Sequence, residues 1–143
     1  MLSLTQQEFE NLINLKKKFE TSEPLHLDES WMRNILSIKT RDAFILDYTI
    51  RGPIELKKYT YNKRYKKIII LLRYDSFGRH TNPDGVIFEG SHIHIYREGF
   101  DDKFAFPIEK LGVSQNSTRE EILELFLKYC HVVEHPNIQY TIL

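Results

Sequence analysis

Phe44-Ile-Leu-Asp-Tyr-Thr-Ile50 is the stretch on which the fold class turns. Phe44, Leu46, Tyr48 and Ile50 alternate with Ile45, Asp47 and Thr49, the two-residue period of a strand with one face buried. Gly52-Pro53 follows as a turn, residues 54–61 read as the next strand, and residues 63–67 as a basic turn. Ile68-Ile-Ile-Leu-Leu72 is a continuous apolar run, expected of an inner strand covered on both faces. Asn82-Pro-Asp-Gly85 is a turn signal, with proline preset for the first bend and glycine free to take positive φ. Residues 86–88, 91–97 and 103–106 then read as short strands of a meander.

Helices are expected at both ends. Thr5 and Glu8 have capping-box spacing, and Phe9, Leu12, Ile13 and Phe19 recur at helical intervals, with Lys16-Lys-Lys18 on the wet side until Glu23-Pro24 ends the element. Asp28 is placed to cap a second, shorter helix carrying Trp31, Met32, Ile35 and Leu36. Near the C-terminus a capping box is formed by Ser117 with Glu120 or by Thr118 with Glu121. It opens a helix whose apolar face includes Ile122, Leu123, Phe126 and Leu127. Ile138, Tyr140 and Ile142 alternate as a last edge strand. The expected fold is α+β: an antiparallel meander of five to six strands, with two N-terminal helices and one C-terminal helix packed on it.

At 143 residues, 41% hydrophobic and with few glycines and prolines, the chain suits one domain spanning residues 1–143. Twenty basic and twenty acidic residues cancel, so the overall charge does not select for nucleic acid or membrane. The lone cysteine, Cys130, excludes an internal disulfide and suits a reducing compartment. No apolar run reaches membrane-spanning length and the N-terminus lacks a signal-peptide core, so a cytoplasmic location without membrane contact is expected. No cofactor is indicated: Gly-rich phosphate loops, Cys-x-x-Cys pairs, nucleophile elbows and His-Glu-x-x-His are all missing.

The segment that carries chemistry is Gly90-Ser-His-Ile-His-Ile-Tyr-Arg-Glu-Gly-Phe100. On a strand His92, His94 and Tyr96 share one face and Ile93 and Ile95 the other. The isoleucines claim the core, leaving the histidines on an open or cleft face. His80, Arg79, Arg97 and Lys103 are expected to converge on them. Paired imidazoles titrate near neutral pH and suit general base and acid roles, with the cations holding a phosphate. The same histidines, with His80, also have the makings of a metal site. Upstream, Lys57, Lys58, Lys63, Arg64, Lys66, Lys67, Arg73 and Arg79 face the single acid Asp75, with Tyr59, Tyr61, Tyr65 and Tyr74 interleaved. A basic patch of this kind, in which Tyr61, Lys63 and Arg64 are binding candidates, attracts phosphate and stacks bases.

Arg79-His-Thr-Asn-Pro-Asp-Gly85, Gly90-Ser-His-Ile-His-Ile-Tyr-Arg-Glu-Gly99 and Asp102-Lys-Phe-Ala105 with Pro107 resemble the signature of a family of small uncharacterised proteins from Gram-positive bacteria and their prophages. The likeness covers about the middle third of the chain and extends upstream to Tyr59-Thr-Tyr-Asn-Lys-Arg-Tyr65. It implies a mobile-element setting. The expected function is therefore a phage–host conflict protein acting on RNA or DNA, as an RNA-cleaving toxin with His80, His92 and His94 as catalytic residues. The alternatives are a non-enzymatic protein-binding module, such as an inhibitor of a defence nuclease, and a His-x-His metal protein.

Overall fold

A computed structural model describes residues 3–51 and 58–140. In chain order the elements are α1 (Gln6–Asn14), β1 (Lys17–Phe19), β2 (Leu25–His26), β3 (Trp31–Ser37), β4 (Ala43–Arg51), β5 (Lys58–Tyr65), β6 (Ile69–Asp75), β7 (Arg79–Thr81), β8 (Ile87–Glu89), β9 (His92–Ile95) and β10 (Ala105–Phe106). A 3₁₀ turn (Ile108–Leu111), α2 (Arg119–Tyr129), β11 (Val132–Glu134) and β12 (Ile138–Gln139) complete it. The Gly52-Pro53 turn and the start of the strand expected at residues 54–61 lie outside the described residues, as does Ile142.

The fold is α+β with an eight-stranded sheet ordered β10-β9-β6-β5-β4-β3-β1-β11. It is mixed rather than antiparallel, because β1 and β11 run parallel. Two small pairs stand beside it: β12 with β2, also parallel, and the antiparallel hairpin β7–β8. The predicted strands around β4, β6 and β9 hold, and β6 is an inner strand, whereas β5 runs on to Tyr65 and takes up residues 63–65 of the expected basic turn, because they pair with Leu46, Ile45 and Phe44.

Two helical expectations fail for one reason. Residues 31–37 form β3, not a second helix, and pair with β4 over Trp31–Tyr48 to Leu36–Ala43. Trp31 and Ile35 suit an i, i+4 helical stripe, but with Arg33 and Ser37 they also suit a strand, and the partner strand decides. Likewise α1 stops at Asn14, because Lys17–Phe19 pairs with β3 and β11. The capping boxes are Thr5–Glu8 and Thr118–Glu121.

The register divides the sheet into two faces. Phe44, Leu46 and Tyr48 of β4 lie opposite Tyr65, Lys63 and Tyr61 of β5, and Tyr74 lies opposite Ile93. This face is the core. Phe126 of α2 packs on Tyr61 and Phe9 of α1 stacks on Tyr96, so both helices cover it. The other face carries Thr49, Arg51, Arg73, Asp75, His92 and His94.

Within the core lie two lysines that the sequence reading placed in solvent. Lys17 is fully buried and its ammonium donates to the Ile13, Leu15 and Cys130 carbonyls at 2.9, 2.8 and 2.8 Å. Those carbonyls end α1 and α2, where helices leave acceptors unpaired and a cation complements the dipole. Lys63 is 1% exposed, and its Nζ has no hydrogen-bond partner among the described residues. Burial, with the charge of Lys63 next in importance, lowers Lys17 to about 7, and burial also holds Lys63 below the ordinary lysine range. The Cys130 thiol is buried and its pKa is raised by that burial. His131 donates its Nδ1–H to the Ile13 carbonyl, a structural role, and His135 does so to Pro136 beside it.

Candidate functional site

Strand β9 runs antiparallel beside β6, placing His92 opposite Asp75 and His94 opposite Arg73. The expected division of faces is observed: Ile93 and Ile95 enter the core and both histidines point the other way. The histidines are nonetheless only 3% and 4% exposed. They are covered by hairpin β7–β8 and by the segment around Asp102 and Lys103, so three imidazoles meet. Ring centroids are 5.0 Å apart for His92–His94, 4.6 Å for His80–His94 and 6.0 Å for His80–His92.

The hairpin is held over the sheet by its turn. Asn82 is buried, and its amide donates to the Ala105 carbonyl at 3.0 Å while its Oδ1 accepts from Ala105 N–H at 2.8 Å. It thus pairs with β10 as a strand residue would. Gly85 closes the turn at φ +89°, donating to Asn82 O. That conformation is open to glycine at little steric cost.

Each ring is oriented by a carbonyl. His92 Nδ1 lies 3.0 Å from Gly90 O, His94 Nδ1 2.9 Å from Asp102 O, and His80 Nε2 2.7 Å from Lys103 O. A carbonyl only accepts, so these three nitrogens carry the protons. The Nε2 atoms of His92 and His94 face Asp75 Oδ2 at 3.5 and 3.4 Å. Arg73 adds its Nε–H and Nη2–H to the same carboxylate at 3.0 Å. Burial alone would raise the Asp75 pKa. Contacts from His92, His94 and Arg73, together with the Arg73 charge, outweigh it and hold the carboxyl well below the usual carboxylate range.

Over this cluster opens a cleft of about 420 Å³, lined further by Arg51, Phe77, Arg79, Asp102 and Lys103. Phe77 is 63% exposed, a flat apolar ring beside charged side chains.

Of the residues expected here, His80, His92, His94, Arg79 and Lys103 converge as anticipated. Tyr96 does not. It lies one residue past β9, where its N–H donates to Leu71 O, and Leu71 is the extra residue of a β-bulge in β6. Alternation ends there, and Tyr96 turns inward, its hydroxyl bonded to Leu4 N–H and O at 2.7 Å. Arg97 stacks over Phe100 and Phe104 instead of reaching the histidines. Tyr61 and Lys63 are buried on the core face, because every second residue of β5 points inward, and Arg64 is paired with Asp47 at 3.0 Å. The basic patch is therefore not one surface; of its tyrosines, Tyr59 lies outside the described side chains.

Sequence reasoning missed Asp75, Arg73, Arg51, Phe77 and Asn82. Arg73 and Asp75, two apart at the end of an apolar run, were the available signal for a polar site on an inner strand. Among the described residues no helix is long and apolar enough to cross a membrane.

Fold and site together define an α+β protein whose sheet carries a buried Asp–His–His cluster beneath a cationic cleft. Residues 4–132 match the model of a family of unknown function (DUF6978), and the chain belongs to that family. Neither a comparison with curated proteins nor one with solved structures found a match.

Proposed function

We propose that the protein acts on nucleic acid as a small toxin-type enzyme, cleaving RNA in the cleft above Asp75, His92 and His94. One observation carries the reading. Of the six nitrogens in the three clustered imidazoles, His80 Nδ1 alone has no partner among the described residues, and it belongs to a half-buried ring lining a cleft rich in arginine and lysine. His92 and His94 have both nitrogens engaged, so the proton-transfer role falls to His80 rather than to the His-x-His pair. An imidazole nitrogen in that position can take up or give a proton as general base or acid.

Arg51, Arg79 and Lys103 are exposed and suited to hold the phosphate; the Arg79–Glu89 contact, at 3.9 Å between exposed groups, ties up little of that charge. Phe77 offers a stacking surface for a base. RNA brings its own nucleophile, the 2′-hydroxyl, and DNA does not.

The test is to incubate the purified full chain with single-stranded RNA, with chelator and with added Zn²⁺, and to repeat it with DNA. RNA alone should be cut, and His80→Ala should cut roughly 10²-fold or more slowly. No cleavage of RNA in either condition overturns the reading, and a stable complex with a host protein in its place would favour a non-enzymatic binding module. Unchanged cleavage by His80→Ala would remove His80 from the chemistry.

A further inference from the structure

We infer that Asp75, His92 and His94 together bind one divalent first-row transition ion of the Zn²⁺ class. The inference stands on ligand geometry and does not depend on RNA being the substrate. The Nδ1–H groups of His92 and His94 are committed to the Gly90 and Asp102 carbonyls. In a neutral ring the remaining nitrogen, Nε2, then presents a lone pair. Both Nε2 atoms face Asp75 Oδ2 inside a site where all three residues are buried. A metal ion among the three atoms would accept both lone pairs and the carboxylate at once, taking the place of protons.

The distances say what kind of cation fits. The N···O separations of 3.5 and 3.4 Å exceed the roughly 2.7–3.2 Å of an N–H···O hydrogen bond. They match the edge of a tetrahedron with metal–ligand bonds of about 2.0–2.2 Å, which is about 3.4 Å. All three ligand atoms lie within 4.8 Å of one another. The surroundings are also those of a metal centre: each ligating histidine donates its other N–H to a backbone carbonyl, and the carboxylate is itself hydrogen-bonded, here by Arg73. Two imidazoles and one carboxylate suit Zn²⁺ or Fe²⁺ over Mg²⁺ or Ca²⁺. Three protein ligands leave a fourth position, and the cleft that all three residues line is where it opens. That is the pattern of a reactive site, in contrast to a closed structural one.

Chelator-treated full chain would be titrated with Zn²⁺ against a chromophoric competitor, and with Co²⁺ by absorption spectroscopy. Wild type should bind one equivalent of Zn²⁺, and Co²⁺ should give the intense visible bands of a four-coordinate ion. His94→Gln and Asp75→Ala should each weaken Zn²⁺ binding by at least about 10-fold. Equal affinity in wild type and folded His94→Gln would overturn the assignment. So would weak, featureless Co²⁺ absorption by wild type, a readout that needs no variant to fold. RNA cleavage that survives chelation alongside stoichiometric Zn²⁺ binding would refute a metal role in cleavage and leave the site standing.

Discussion

Lys17 and Lys63 are both buried against the ring of Phe44, at 5.0 and 4.9 Å from its centroid, yet replacing each by methionine should move stability in opposite directions. The Lys17 ammonium matches its three N–H groups to three carbonyl acceptors. Lys17→Met removes three hydrogen bonds and strands the carbonyls that close both helices, costing about 2–4 kcal/mol. Lys63 Nζ is buried without a hydrogen-bond partner among the described residues, with only the Phe44 ring beneath it. A buried polar group in that state costs about 1–3 kcal/mol, and methionine keeps the unbranched stem while removing the amine. Lys63→Met should therefore stabilise by about 1–3 kcal/mol, a rise in Tm of roughly 3–12 °C for a domain of this size. Denaturant titration and calorimetry of the two variants, with matched slopes in denaturant, would measure both. A Lys63→Met protein less stable than wild type would show that the amine has a partner or that its charge is needed, and a stabilised Lys17→Met protein would refute the helix-closing role.

The same lysines predict a pH dependence. Lys17 titrates near 7 when folded against 10.5 when unfolded, so above about pH 7 the folded chain binds fewer protons and stability rises with pH. Between about pH 7 and 9 the stability gap between wild type and Lys17→Met should widen; a constant gap in paired denaturation curves would contradict the lowered pKa. Asn82→Ala removes both bonds between the hairpin turn and Ala105 and should cost about 2–3 kcal/mol. Hydrogen exchange should then quicken in β7 and β8 first, and exchange that stays slow there would show that the hairpin is held by something else. Tyr96→Phe loses the hydroxyl contacts to Leu4 and should cost about 1–2 kcal/mol, read as a Tm decrease with the cleft residues unaffected.

Much of the fold is local enough to read from the chain. The alternation over Phe44 to Ile50, the apolar run into Leu72, the Asn82-Pro-Asp-Gly85 turn and two capping boxes each depend on residues within a few positions. So does the division of Ile93 and Ile95 from His92 and His94. Residues 31–37 and Lys17 were not legible in this way. Trp31 and Ile35 satisfy both periods, and a lysine reads as solvated unless its acceptors are known. Those acceptors are up to 113 residues away, at Cys130.

For the site, the sequence by itself determined that two histidines share a strand face, that cations stand within reach, and that a tight turn separates His80 from them. It could not determine that Asp75 is their carboxylate, because the cross-strand register between β6 and β9 joins residues that are 17 and 19 apart. Nor could it show that a hairpin folds over that face and buries the imidazoles. Side-chain alternation is a property of one strand. Burial, proton placement and the convergence of three ligand atoms on one point belong to the packing of several, and only the tertiary structure decided them.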